Sequence, residues 1–158
     1  MARKKSTRGN AMLEFAMAFM VIFPVFAGTF QFGYTFYVYN LLQTQVRDGA
    51  RYAALRQFRS LDATSVGKYK AAVRNMVRTS TPDGSGALIV PGLKDNNIVV
   101  TITDAAGVSA DAEHAPARVS VSISNFVVDA VVKKFTLNRK PFLEFQYAGR
   151  YAPAESEP

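Results

Sequence analysis

Cysteine is absent from the 158-residue chain, and with it go disulfides, thiolate metal sites and cysteine nucleophiles. Histidine occurs once, at His114, whereas a zinc site needs three or four converging ligands. His114 lies near Asp111 and Glu113 in a small, polar segment, Ala105 to Ala117, that reads as a mobile, solvated loop. Gly107-Val108-Ser109-Ala110-Asp111 lacks the final glycine of a nucleophile elbow. Gly84-Ser85-Gly86 is not followed by the lysine and hydroxyl residue of a phosphate-binding loop, and the aspartates do not fall at calcium-loop spacing. The chain is therefore expected to be no enzyme, to hold no cofactor or metal, and to take no small-molecule substrate. The longest absence is of charge: no Asp, Glu, Lys or Arg stands between Glu14 and Arg47.

What fills that gap is apolar. From Phe15 to Gly33 the only strongly polar side chain is Gln31, and as a helix about 20 such residues cross the roughly 30 Å hydrocarbon core of a bilayer. Pro24 removes one backbone donor inside the run and Gly28 adds local freedom, so the helix is expected to bend or loosen there. Tyr34, Phe36, Tyr37 and Tyr39 follow, a cluster suited to a headgroup layer, which sets the outer boundary near Asn40. An ordinary secretory signal fits poorly, because the run exceeds a usual h-region and no small-x-small site closes it.

The formal charge of +7 does not point to nucleic acid. Arg3, Lys4, Lys5 and Arg8 supply four of those charges, leaving +3 for everything after Gly9, and no recognisable nucleic-acid reading module is present. Arg47, Arg51, Arg56 and Arg59 match the four basic residues on the other side of the span, so counting charges does not orient it. Together with Lys68, Lys70, Arg74 and Arg78 they read first as the solvated faces of two helices, with a surface for anionic lipid headgroups or an acidic partner as the other reading.

Beyond Asn40 the pattern becomes one-sided: Leu42, Val46, Gly49, Ala50, Ala53 and Ala54 recur at three- and four-residue spacing, the stripe of an amphipathic continuation. Its small residues let another backbone come close, a sister helix or the chain's own sheet, and the chain's own domain is the simpler partner. After Leu61-Asp62-Ala63-Thr64 a second helix is expected from about Ser65 to Arg78, capped by Thr64 or Ser65, with Val66, Tyr69, Val73, Met76 and Val77 on one face. Ser80 to Gly86 has turn composition. Residues 98–103 and 119–124 alternate as strands with one wet face, and residues 142–147 should add a third, antiparallel one, reached through a connection from Val127 to Pro141. Phe126 to Val132 is too short, and carries Asp129, for a second span. Residues 152–158 are expected to be a disordered tail. The fold class is thus α+β: a long N-terminal transmembrane helix with an amphipathic extension, a second helix, and a small antiparallel sheet.

The junction Arg8-Gly9-Asn10-Ala11-Met12-Leu13-Glu14-Phe15 carries a family resemblance. A short basic leader, Gly9, Glu14 at the fifth position after it and a long apolar helix resemble type IV prepilins and pseudopilins. Together with Gln31-Phe32-Gly33 and Gly49-Ala50-Arg51-Tyr52-Ala53-Ala54, the stretch from Gly9 to Ala54 resembles the TadE-like family of tight-adherence (Flp) pilus systems. Asn10 departs from the small or apolar residue usual after the cut. The large von Willebrand-like domain of TadG relatives is not seen, which points to a small TadE or TadF type subunit.

The resemblance implies a pilin-like architecture, divided into a leader at 1–9, a transmembrane and assembly helix at 10–40 and an extracytoplasmic α+β domain at 41–151. It further implies cleavage by prepilin peptidase after Gly9, insertion in the bacterial inner membrane with the N-terminus cytoplasmic, and partnership with other pilins or pseudopilins and the assembly platform. Gly9 and Asn10 would form the processing site, Glu14 the assembly residue, and Phe15, Pro24, Gly28 and Gly33 parts of the membrane helix. A carboxylate at the edge of hydrocarbon demands a partner, and the amino group freed at Asn10 would supply one to Glu14. The alternative from another class is an uncleaved single-pass membrane protein whose outer domain binds a partner.

Overall fold

A computed structural model describes residues 7–59, 63–111, 114–130 and 133–152. Most of the expected leader and the tail from 153 on, together with 60–62, lie outside the described residues. The dominant element is α1 (Thr7–Leu55), a single 49-residue helix that includes Pro24 without interruption. It starts ahead of Gly9, so the leader does not end before structure begins: its last residues are already helical. Short β1 (Phe58–Arg59) leads to α2 (Ala63–Thr79), which starts at or before the expected caps Thr64 and Ser65.

α1 is two helices in one by environment. Its N-terminal arm is bare: the most apolar 18-residue window has mean hydropathy 2.0 and is 0% buried, with Phe15 72% and Met20 75% exposed. From Gln31 onward one stripe disappears into the domain, through Val38, Leu42, Gln45, Val46, Ala50 and Ala53, all buried. The same stripe of small residues accepts α2, whose Tyr69, Ala72, Val73 and Val77 are buried. Gly49 is where the two backbones come closest, because a Cβ there would lie 2.3 Å from Val77 Cγ2. Close approach was legible in the stripe, and its partner is the chain's own domain.

The sheet is β2 (Ile98–Thr103), β3 (Arg118–Ile123) and β6 (Phe142–Gln146), antiparallel in the order β2-β3-β6. Register sets Ile98 against Ile123, Val100 against Val121 and Ile102 against Val119, and alternation turns all six inward. Val119 and Val121 in turn face Phe145 and Leu143 of β6. This face lies on α1 and α2 and forms one core with Leu42, Val46, Phe58, Tyr69, Val73 and Val77.

Three features depart from expectation. Residues 127–141 are not a plain connection: β4 (Phe126–Asp129) and β5 (Lys134–Leu137) pair as an antiparallel hairpin. The 105–117 segment, expected to be mobile, is tied back to β2, with Asp104 N–H donating to Val108 O at 2.8 Å and Ala110 N–H to Ile102 O at 3.0 Å. Finally, β7 (Tyr151–Ala152) pairs in parallel with β1, so Ala152 is a strand residue rather than the first residue of the tail.

That last pairing closes the end of α1, whose final carbonyls have no partner within the helix. Ala148 N–H donates to Ala54 O at 2.9 Å. The Tyr147 hydroxyl donates to Arg56 O at 2.8 Å and accepts from Phe58 N–H at 2.8 Å. Gly149 is obligatory here, since a Cβ would stand 2.4 Å from Arg56 O, a backbone atom. Tyr69 packs edge-on against Phe58 at 5.4 Å and donates its hydroxyl hydrogen to Ala53 O.

Burial raises the pKa of Tyr69 and of Tyr147 above the ordinary tyrosine value. A folded-state pKa above the unfolded one means that the native state holds its proton longer. The contribution is therefore full below about pH 10 and is lost as pH rises beyond it. We expect circular dichroism of the full chain in detergent to show alkaline unfolding that begins above about pH 10, with Tyr69→Phe flattening the pH slope while costing about 1 kcal/mol near neutrality. A stability profile in which Tyr69→Phe leaves the alkaline slope unchanged would rule out this linkage.

Candidate functional site

The residues expected to carry function lie along the bare arm of α1 and are set apart by helical geometry. Gly9 and Asn10 lie in its first described turn and are exposed. Glycine is among the least favourable helix residues, so local unwinding at the Gly9-Asn10 bond costs little. Glu14 follows one turn after Asn10 on the exposed helix surface, and among the described residues it forms no hydrogen bond or ion pair. The i, i+4 spacing brings the two positions to within about 6 Å.

Phe15 begins an aromatic ladder: its ring centroid is 6.1 Å from that of Phe19, which is 5.3 Å from that of Phe23. This row follows the helix surface at four-residue spacing and faces outward. Pro24 forgoes the hydrogen bond to the Met20 carbonyl, yet the helix is unbroken. One turn later Thr29 folds its hydroxyl onto Val25 O at 2.9 Å, which leaves no free donor in an apolar setting.

Gly28 and Gly33 complete the set. A Cβ at Gly9, Gly28 or Gly33 would meet nothing within 4 Å, in contrast to Gly49 and Gly149. Each helical glycine costs about 1 kcal/mol relative to alanine, and nothing in this chain's own packing requires these three to be glycine. The structure therefore brings Gly9, Asn10 and Glu14 together within two turns, and distributes Phe15, Pro24, Gly28 and Gly33 along an arm whose apolar surface the chain itself leaves uncovered.

Three of the basic residues beyond the span are engaged by the domain itself. Arg78 pairs with Asp95 at 2.6 Å, Arg74 donates to Ile98 O at 3.3 Å, and the Arg56 guanidinium lies 5.4 Å from the Tyr52 ring centroid. His114 pairs with Asp111 at 2.9 Å in an exposed turn, and the Tyr151 hydroxyl donates to Asp111 O at 2.9 Å. This small network pins a loop. Among the described residues no three His, Cys, Asp or Glu side chains gather as a metal-holding group.

One contact was missed by sequence reasoning. Gln31, only 5% exposed, donates through Nε2 to Lys133 O at 2.6 Å, and its Oε1 lies 3.5 Å from Lys133 N. It ties the β4–β5 hairpin to the helix across 102 residues of sequence. The signal was a lone amide in an apolar run, which needs a partner. The partner is backbone, and no side-chain pattern announces a backbone acceptor.

No curated protein and no solved structure matches the chain. Over residues 9–51, which comprise the bare arm, Glu14 and the start of the stripe that enters the core, the chain matches the family model described as TadE-like protein, the family that its Gly9 to Ala54 stretch resembles.

Proposed function

We propose that this protein is a TadE-like minor pilin or pseudopilin, a structural component in the biogenesis of a tight-adherence (Flp) pilus or a related secretion apparatus. The observation that carries the reading is the bare arm: a helix of membrane-spanning length, 0% buried over its most apolar window, with a carboxylate at its mouth that has no partner among the described residues and a TadE-like match over the same residues. A core helix of a soluble protein would bury such a surface. In this reading the arm lies in the inner membrane with the N-terminus cytoplasmic and the α+β domain outside. Prepilin peptidase cuts after Gly9, and the freed amino group of Asn10 meets Glu14 of the same or a neighbouring chain. Assembly energy then comes from a separate motor.

The test is the N-terminus of the membrane-purified protein, read by intact mass and terminal peptides. A chain that begins at Asn10, and that stays uncut both in a Gly9→Leu variant and in cells lacking prepilin peptidase, is the expected result. A terminus at Met1 or Ala2 in otherwise normal cells would replace this reading by the alternative, an uncleaved single-pass protein that presents a partner-binding domain.

A further inference from the structure

The tie between Gln31 and Lys133 brings the β4–β5 hairpin down against the helix at a definite height. Beside it, Phe32, Thr35, Phe36 and Tyr39 of α1 and Phe135 of β5 enclose an open crevice of about 290 Å³ with apolar walls. The Thr35 hydroxyl donates to Gln31 O at 2.9 Å and so presents no free donor to the crevice. Phe32 and Phe36 remain 60% and 64% exposed; the chain leaves this surface uncovered.

Height identifies the surroundings. With Glu14 at one edge of the hydrocarbon, about 20 helical residues bring the other edge close to Tyr34. The crevice, from Phe32 to Tyr39, therefore straddles the boundary between acyl chains and headgroups. Charge identifies the headgroup. Residues 126–140 carry Lys133, Lys134, Arg139 and Lys140 against Asp129 alone. The Lys133 side chain is exposed, and Lys134, 2.9 Å from Asp129, is exposed as well. A second copy docking by the same face would set these cations against their equivalents.

We propose that the crevice holds an acyl chain of an anionic phospholipid from the leaflet on the domain's side of the membrane, with Lys133 and Lys134 meeting its phosphate. The lipid continues the apolar surface of the arm upward to the hairpin and seats the domain on the bilayer. This inference rests on the membrane reading of α1, and the experiment separates the two.

The chain has no tryptophan, so Phe36→Trp places a single indole in the crevice. The full chain carrying it is placed in phosphatidylcholine nanodiscs doped with tail-brominated phosphatidylglycerol, or with the same fraction of tail-brominated phosphatidylcholine. Each lysine near the surface enriches an anionic lipid by about fivefold, so brominated phosphatidylglycerol is expected to quench severalfold more strongly. Adding Lys133→Gln and Lys134→Gln should bring the two lipids level. Equal quenching by both lipids in the lysine-bearing protein, or a preference that survives the double change, overturns the proposal. Phe19→Trp, at mid-span, reports insertion separately and should be quenched by both lipids alike. If it is quenched while Phe36→Trp is not, a protein surface covers the crevice and the lipid proposal alone fails. If neither is quenched, the arm is outside the bilayer and both readings fail.

Discussion

If the chain is processed and assembled as proposed, Glu14→Gln should leave cleavage after Gly9 intact and reduce the chain recovered in pilus-associated complexes by about 10- to 150-fold, the factor equivalent to one charge-assisted hydrogen bond of about 1.5–3 kcal/mol. The carboxylate is exposed on a helix that is otherwise apolar there, without a partner among the described residues. A charge at the hydrocarbon edge is costly when alone and favourable when paired. Glutamine keeps the shape and removes the charge. The competing explanation is that Glu14 only stabilises the positive end of the helix, which is equivalent to about 0.3–1 kcal/mol and would lower recovery by a few fold at most. Quantitative blotting of sheared and crosslinked fractions against total membrane protein decides between them. Recovery of Glu14→Gln within about twofold of the parent would exclude a charge pair of the size cited.

The second large effect belongs to folding. Gly49→Leu should destabilise the domain by about 3 kcal/mol, because overpacking a close helix contact typically costs 1–3 kcal/mol and occasionally more. Even the first added carbon would lie 2.3 Å from Val77 Cγ2 and 3.7 Å from Val73 O, so α2 must be displaced from the core. Gly33→Leu is the matched control, since a Cβ there meets nothing; it should melt with the parent protein in detergent. Near-ultraviolet circular dichroism is the readout, through the tyrosines packed around Phe58. Coincident melting of Gly49→Leu and Gly33→Leu would show that α1 and α2 do not meet as described. Any defect of Gly33→Leu confined to assembly would identify that glycine as a contact with another molecule.

Much of this arrangement could be read from the chain because the physical signals were long. A charge-free run from Phe15 to Val46 has few alternatives to a helix in an apolar setting, and the Leu42 to Ala54 stripe has a period that only a helix makes one-sided. Residues 98–103 and 118–123 alternate, and they are the two strands whose inward residues fill the core. The misses were short or aperiodic. Val127-Val128 and Lys133-Lys134 pair like residues side by side, which hides the β4–β5 hairpin from a test for alternation. Phe58-Arg59 and Tyr151-Ala152 are too brief for any periodicity, and their parallel pairing joins positions 93 apart. At the candidate site, the resemblance singled out Gly9, Asn10 and Glu14, and the helix sets all three on its exposed arm. The Gln31 tie was not legible, because its acceptor is a main-chain carbonyl.

The unbroken α1 has a mechanical meaning. One rod is at once the arm and the spine of the domain, so the two cannot turn independently above Gln31. From mid-span near Ile22 to Leu55 the rod extends about 50 Å at 1.5 Å per residue. A tilt of about 20°, ordinary for a membrane helix, would then sweep its far end sideways by about 17 Å. Were arms of several copies packed together, as the proposed function has it, the angle at which they cross would set the direction in which each domain faces, and a small adjustment among the helices would be amplified at the outer surface.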